Sequence, residues 1–256
     1  MATSGKASAA SEPRISTING AARRCALIRT GALDGSVDLD ALSTPEWEPI
    51  SADCELIESW RERHAGPLRN TNANLRHYVR PHSSEGVSVT QRLKKFSTIL
   101  DKLNRYPTMR LTAMEDIGGV RVVLPNQATA DEVARKLRKN WKVHRYRDYL
   151  RKPKDSGYRA LHLIVVKQGV KIEVQLRTYL QDFWANQVEH DSRSLRVDYK
   201  SGKGQDAVHA YYVAVSQLLE MREGSKEPPA GFSEELRRRY VVAKPYLSSL
   251  SDGETA

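Results

Sequence analysis

Five chemically different side chains recur at regular spacing between residues 158 and 177: Tyr158, His162, Glu173, Gln175 and Arg177. A phenol, an imidazole, a carboxylate, an amide and a guanidinium in one stretch look like a site. The bland alternative is the solvated outer face of an antiparallel sheet, which usually carries a loose mixture of Lys, Glu and Thr. A second carboxylate, Asp116, stands at the mouth of an apolar run that Arg121 interrupts. Buried strands rarely carry an arginine without a partner. A third group is basic: Arg92, Lys94, Lys95, Lys102 and Arg105 surround Leu93, Phe96, Ile99, Leu100 and Leu103. Such a surface is usually just solvated. It becomes a phosphate-binding surface only if this segment lies against the first.

Stepping outward, residues 158–178 read as two β-branched runs around Gln168-Gly169, a hairpin signal. With Lys167 and Val170 as the closing pair, Glu173 faces Ile164, Gln175 faces His162 and Arg177 faces Ala160. Strand side chains alternate, so Tyr158, His162, Glu173, Gln175 and Arg177 fall on one face. Leu161, Leu163, Val165, Ile172, Val174 and Leu176 fall on the other. A slip of one residue would destroy that sorting.

The flanking elements are expected as follows. Ser51 caps a helix through Leu56, Ile57 and Trp60, Pro67 restarts one over 67–79, and 81–86 is a loop. Residues 89–105 read as one helix. Residues 117–124 and 141–150 read as strands, with Gly118-Gly119 permitting a bulge or the close approach of a ligand. Asn126 caps a helix over 128–139, and helices are expected over 179–190 and 206–222. The fold class that follows is α+β, a mixed sheet of about four or five strands flanked by helices. Residues 1–45, rich in Ser, Ala, Thr and Gly, are expected to form a disordered basic arm with a short helix near 21–28. Residues 46–222 would be the folded domain and 223–256 a loose or locally helical basic tail. Arg23, Arg24 and Arg29 in the arm, and Arg237, Arg238 and Arg239 in the tail, are candidate contacts to a polyanion.

The bulk composition agrees with such partners. Among 256 residues, 41 are Lys or Arg and 31 are Asp or Glu, a formal charge of +10. Nucleotides or nucleic acid are therefore the expected ligands, with improved solubility as the plainer explanation. Cys25 and Cys54 lack metal spacing and suit a reducing compartment. No apolar run approaches membrane-spanning length and no signal-peptide core is visible, so a cytoplasmic location is expected.

An ordered set of short signatures resembles the RelA/SpoT synthetase domain. These are Arg92-Leu93-Lys94 with 98–102; Asp116-Ile117-Gly118-Gly119-Val120-Arg121; Arg147-Asp148-Tyr149; Lys154-Asp155-Ser156-Gly157-Tyr158-Arg159 with His162; Glu173-Val174-Gln175-Leu176-Arg177-Thr178; and Trp184-Ala185 with Glu189-His190. The chain length suggests the small alarmone synthetase class, without room for the hydrolase and regulatory domains of long members. Ser156 stands where many long members carry Asn, and Asp198-Tyr199-Lys200 comes later than the family's usual Asn-Tyr-Lys. The resemblance implies a nucleotidyltransferase-like fold and magnesium-dependent transfer of the β,γ-pyrophosphate of ATP to the ribose 3′-hydroxyl of GDP or GTP.

By matching position, it further implies that Asp116 and Glu173 hold Mg2+, with Glu173 also helping to deprotonate the hydroxyl. Arg92 and Arg121 would clasp adenine, and Lys94, Lys102 and Arg105 the ATP phosphates. Tyr158 would stack on the acceptor base, with His162 and Gln175 nearby. One branch of the class consists of toxins that modify the 3′ end of tRNA, so a tRNA acceptor, an antitoxin partner and a homo-oligomer remain open. An inactive nucleotide- or RNA-binding module is the alternative of another class. Keeping both carboxylates near phosphates argues against it.

Overall fold

The computed structural model describes residues 13–195, 197, 199 and 204–248. The expected arm at 1–12, the tail at 249–256 and most of Asp198-Tyr199-Lys200 lie outside the described residues. The centre is a five-stranded sheet in the order β1-β2-β5-β4-β3. Its strands are β1 (Ser88–Leu93), β2 (Gly118–Leu124), β3 (Val143–Asp148), β4 (Leu161–Lys167) and β5 (Val170–Thr178). Only β2 and β5 run parallel; the other neighbours are antiparallel, so the sheet is mixed as expected.

The β4–β5 hairpin has the register read from its alternation. Lys167 pairs with Val170, Ile164 with Glu173 and His162 with Gln175. Gln168 and Gly169 both have positive φ, 49° and 81°, which gives the tight turn the twist that antiparallel strands need. All six apolar residues of the inner face join one buried cluster with α3 (Ala65–Val79) and α5 (Gln127–Asn140). Asn126 caps α5 by accepting a bond from the Thr129 amide at 2.9 Å.

The structure corrects three expectations. Residues 89–105 are not one helix: 88–93 form β1, and α4 covers Phe96–Arg105. The β-branched run Val87, Val89 and Thr90 favours a strand, and the exposed edge of β2 supplies its hydrogen bonds. The apolar helical face begins only at Phe96. Residues 15–34 are likewise not an irregular arm but α1 (Ile15–Asp34). Ile18, Ala21, Ala22, Cys25 and Ala26 recur at three- and four-residue intervals and are buried against α2 (Thr44–Glu62) and α4. The start of α2 is capped by Ser43 with Glu46 in a reciprocal box, so Ser51 lies inside the helix.

Polar contacts lock α1 down. Arg24 grips Asp53 with two bonds of 2.6 and 2.7 Å, Arg29 reaches Asp101 at 2.6 Å, and Asn104 of α4 donates to the Ala26 carbonyl at 2.6 Å. The Cys25 and Cys54 sulfurs meet at 3.7 Å as free thiols, and burial pushes the Cys25 thiol up to about 12. On the other side of the sheet, α6 (Tyr179–Ser194), α7 (Asp206–Glu223) and α8 (Phe232–Ser248) enclose a third cluster around Tyr158, Trp184 and Tyr212.

Candidate active site

Strand pairing lays the polar side chains out in rows. In one row Arg121 of β2 pairs with Gln175 of β5, Gln175 with His162 of β4, and His162 with Arg147 of β3. In the next row Arg92 of β1 pairs with Gly119, Gly119 with Glu173, Glu173 with Ile164, and Ile164 with Arg145. Paired positions point to the same face. That face is therefore cationic at both outer strands and carries its carboxylate in the middle. The ten residues singled out from the sequence, from Arg92 to Gln175, all line one open cleft of about 1150 Å³ over this face.

Asp116 sits just before β2. Lys94 reaches one of its carboxylate oxygens at 3.1 Å and Lys102 the other at 2.8 Å. Lys94 is placed by the end of β1, where its amide donates to the Ile117 carbonyl at 2.8 Å, and Lys102 by α4. Burial works to raise the Asp116 pKa, but the two ammonium groups outweigh it and hold the carboxyl below its usual value. Arg105 lines the same end of the cleft.

Glu173 is held differently. His162 donates to one oxygen through Nδ1 at 2.9 Å, and the Gln175 amide donates to the other at 2.8 Å. Burial acts against ionisation, yet these bonds bring the Glu173 pKa down to about 2. Burial also lowers the His162 pKa. The lowered His162 pKa favours a neutral imidazole, whose Nδ1–H donates to the carboxylate.

Arg92 and Arg121 reach the cleft from the β1–β2 edge. Arg92 lies 3.7 Å from Glu189, and Arg121 donates to Asn186 at 3.0 Å with Asp182 at 3.5 Å, all three partners on α6. Tyr158 differs from its expected role. It is only 1% exposed, with Trp184 packed against its ring and its hydroxyl 2.7 Å from His162 Nε2. A ring so covered has no face open for stacking on a base. Tyr149 is half-buried, lines the cleft and stands edge-on to His162 at 5.2 Å between ring centres. Lys154 lies over both tyrosine rings, 5.0 and 5.2 Å from their centres.

Sequence reading gave no role to the cations around Glu115. Arg145 is 3.0 Å, Arg147 3.7 Å and Lys171 3.8 Å from Glu115, whose single charge they exceed. Their signal was the alternation of Arg145 and Arg147 along a strand, which becomes informative only once His162 is known to be the neighbour of Arg147. Arg177, grouped with the polar face of the hairpin in the sequence, is fully buried behind Glu173 and contacts Tyr158, Gln175 and Asp182.

Among the described residues no cluster of three or more His, Cys, Asp or Glu side chains could by itself hold a metal ion. Asp116 and Glu173 nevertheless suit Mg2+, which commonly takes one or two carboxylates and completes its shell with phosphate oxygens and water.

A family model, the region found in RelA / SpoT proteins, matches residues 91–203. The chain is 32% identical over 164 residues to GTP pyrophosphokinase YjbM of Bacillus subtilis, covering 57% of this chain and 76% of that protein. It belongs to the RelA/SpoT family, in its small alarmone synthetase class. The Bacillus subtilis small alarmone synthetase 2 superposes with a TM-score of 0.58 at 20% identity, over 66% of this chain and 94% of that one. The Bacillus subtilis small alarmone synthetase 1 bound to its product pppGpp superposes with a TM-score of 0.53 at 25% identity, over 66% and 94%. Among the described residues no helix is long and apolar enough to cross a membrane.

Proposed function

We propose that this cleft transfers the β,γ-pyrophosphate of ATP to the 3′-hydroxyl of GDP or GTP. The observation that carries the reading is the charge layout: Glu173 in the middle of the sheet face and Asp116 just before β2, with separate cation sets on either side. Pyrophosphoryl transfer needs alignment and charge neutralisation more than covalent chemistry. Two polyphosphate substrates meeting over one centre require this distribution. ATP lies on the β1–β2 side, where Lys94, Lys102 and Arg105 take its phosphates and Arg92 and Arg121 its adenine. The acceptor lies over β3 and β4, its phosphates toward Arg145, Arg147 and Lys171 and its base against Tyr149.

In the reaction the 3′-oxygen bonds to the β-phosphorus, the bond from that phosphorus to the bridging oxygen of AMP breaks, and AMP leaves with that oxygen. Glu173 orients the attacking hydroxyl and accepts its proton as the new bond forms. Mg2+ would be held by Asp116 and Glu173, and would neutralise charge on the transferring phosphates. When phosphate arrives, Lys94 and Lys102 exchange the Asp116 carboxylate for phosphate oxygens.

The guanine nucleotide is favoured over tRNA because four of the six arginines named in the flanking segments already pair with carboxylates. Arg24 is held by Asp53, Arg29 by Asp101, and Arg238 and Arg239 by Glu235. The test is incubation with γ-labelled ATP, Mg2+ and either GDP, GTP or deacylated tRNA. Label is expected on the guanine nucleotides. Label on tRNA alone would replace the acceptor, and no transfer to any of them would refute the activity.

A further inference from the structure

Behind Glu173 the hydrogen bonds form a closed loop. We propose that Arg177 is a positioning residue that sets the direction of both hydrogen-bond chains ending on the Glu173 carboxylate. For its kinetic consequences this rests on the pyrophosphokinase reading. One guanidinium nitrogen of Arg177 donates to the Tyr158 hydroxyl at 3.0 Å and to Gln175 Oε1 at 2.9 Å. From Tyr158 the chain continues to His162 Nε2 at 2.7 Å, and from His162 Nδ1 to one Glu173 oxygen at 2.9 Å. From Gln175 it continues through the amide nitrogen to the other oxygen at 2.8 Å.

Arginine can only donate. The Tyr158 oxygen therefore accepts from Arg177, which disposes its own proton toward His162 Nε2, the ring nitrogen 2.7 Å away. An Nε2 that accepts requires the imidazole proton on Nδ1, where it points at Glu173. The same constraint acts on Gln175. With Oε1 turned toward Arg177, its NH2 group must face Glu173 rather than the reverse. Either error would set a lone pair against the carboxylate. A donor-only group at the far side of the loop excludes both errors at once. Its position suits that role: Arg177 is completely buried and lies behind the residues that line the cleft.

The competing role is mechanical. Arg177 also donates to Asp182 at 3.0 Å and so ties β5 to the first turn of α6. A residue that only anchors α6 has no influence on where His162 carries its proton, and that separates the two roles. Arg177→Lys keeps a cation facing Asp182 but loses the planar fork. Tyr158→Phe cuts one chain and leaves the Arg177–Asp182 pair whole.

The experiment is 15N NMR of the full chain labelled at histidine, with the His162 signals assigned by their loss in His162→Gln, alongside steady-state kinetics. The wild type is expected to show His162 protonated on Nδ1 alone. Both variants are expected to lose that single tautomer. Their kcat should fall 10- to 100-fold, the usual scale for partners that orient a catalytic or metal-binding group, with KM for ATP unchanged. A wild-type His162 protonated on Nε2 overturns the proposal, as does an Arg177→Lys protein that keeps both the tautomer and kcat. If the wild type transfers no pyrophosphate, the functional reading fails, while the wild-type tautomer still decides the role of Arg177.

Discussion

Asp116 and Glu173 stand near the centre of one cleft, but their surroundings are built on opposite plans. Asp116 is neutralised by two flexible cations, Lys94 and Lys102, carried on separate elements. Glu173 is held by two neutral donors, His162 and Gln175, which are themselves held from behind. Lysine ammonium groups can leave a carboxylate for a phosphate with little rearrangement, so the Asp116 side is built to exchange partners. The Glu173 side fixes the carboxylate's direction through hydrogen bonds, with Lys102 acting on its charge only through space. Under the proposed reaction, the first plan suits an arriving phosphate and the second the alignment of a hydroxyl.

The largest test of this contrast is at Glu173. Glu173→Gln removes the charge with little change in volume and should lower kcat by about 10³-fold, in the range expected for loss of a proton acceptor. Circular dichroism should stay unchanged. Asp116→Asn should leave more activity, with a raised Mg2+ requirement and a raised KM for ATP, because Lys94 and Lys102 still bind phosphate. Equal losses in kcat alone, at constant KM and Mg2+ requirement, would break the distinction.

A smaller effect should come from α1. Ala26 is fully buried, and its carbonyl holds Asn104 on α4, the helix that carries Lys102. Ala26→Leu overpacks this contact and should destabilise the protein by about 1–3 kcal/mol. Thermal denaturation measures that loss. The remaining folded protein should show a raised KM for ATP with KM for the acceptor unaltered. An equal rise in both would mean that α1 braces the whole cleft.

The smallest effect concerns His64, buried at the start of α3, with its Nδ1 3.0 Å from the Trp60 carbonyl oxygen. Burial lowers its pKa below 6.5. Above about pH 6.5 the imidazole is neutral in both folded and unfolded chains and contributes no pH dependence. Below it, the unfolded chain takes up the proton first, so stability is lost as pH falls toward the lowered folded value. The slope is at most about 1.4 kcal/mol per pH unit for one proton. Urea unfolding between pH 7 and 5 should show a shallower dependence in His64→Gln than in the wild type. Identical slopes would mean that His64 charges freely in the fold.

The hairpin and its two faces were legible in the linear order of residues, because a strand's alternation is a local geometric rule and one register sorts six apolar residues and His162, Glu173 and Gln175 at once. Asp116, Glu173 and the basic set from Arg92 to Arg105 were legible too, through residue type and ordered signatures. The β1–α4 break was harder to read. Residues 88–93 become a strand because β2 presents an edge to pair with, a fact stored some thirty residues away. The helical spacing of Ile18, Ala21, Ala22, Cys25 and Ala26 was present in the sequence, but small side chains give a weak apolar signal until α2 and α4 close over them. Tertiary structure alone decided that the Tyr158 ring is covered, that Arg145 and Arg147 line the cleft on the side opposite Arg92 and Arg121, and that Arg177 closes a loop onto Glu173. Each of these depends on which strands and helices become neighbours. Hydrogen-bond direction passes between such neighbours, and no periodicity within one segment records it.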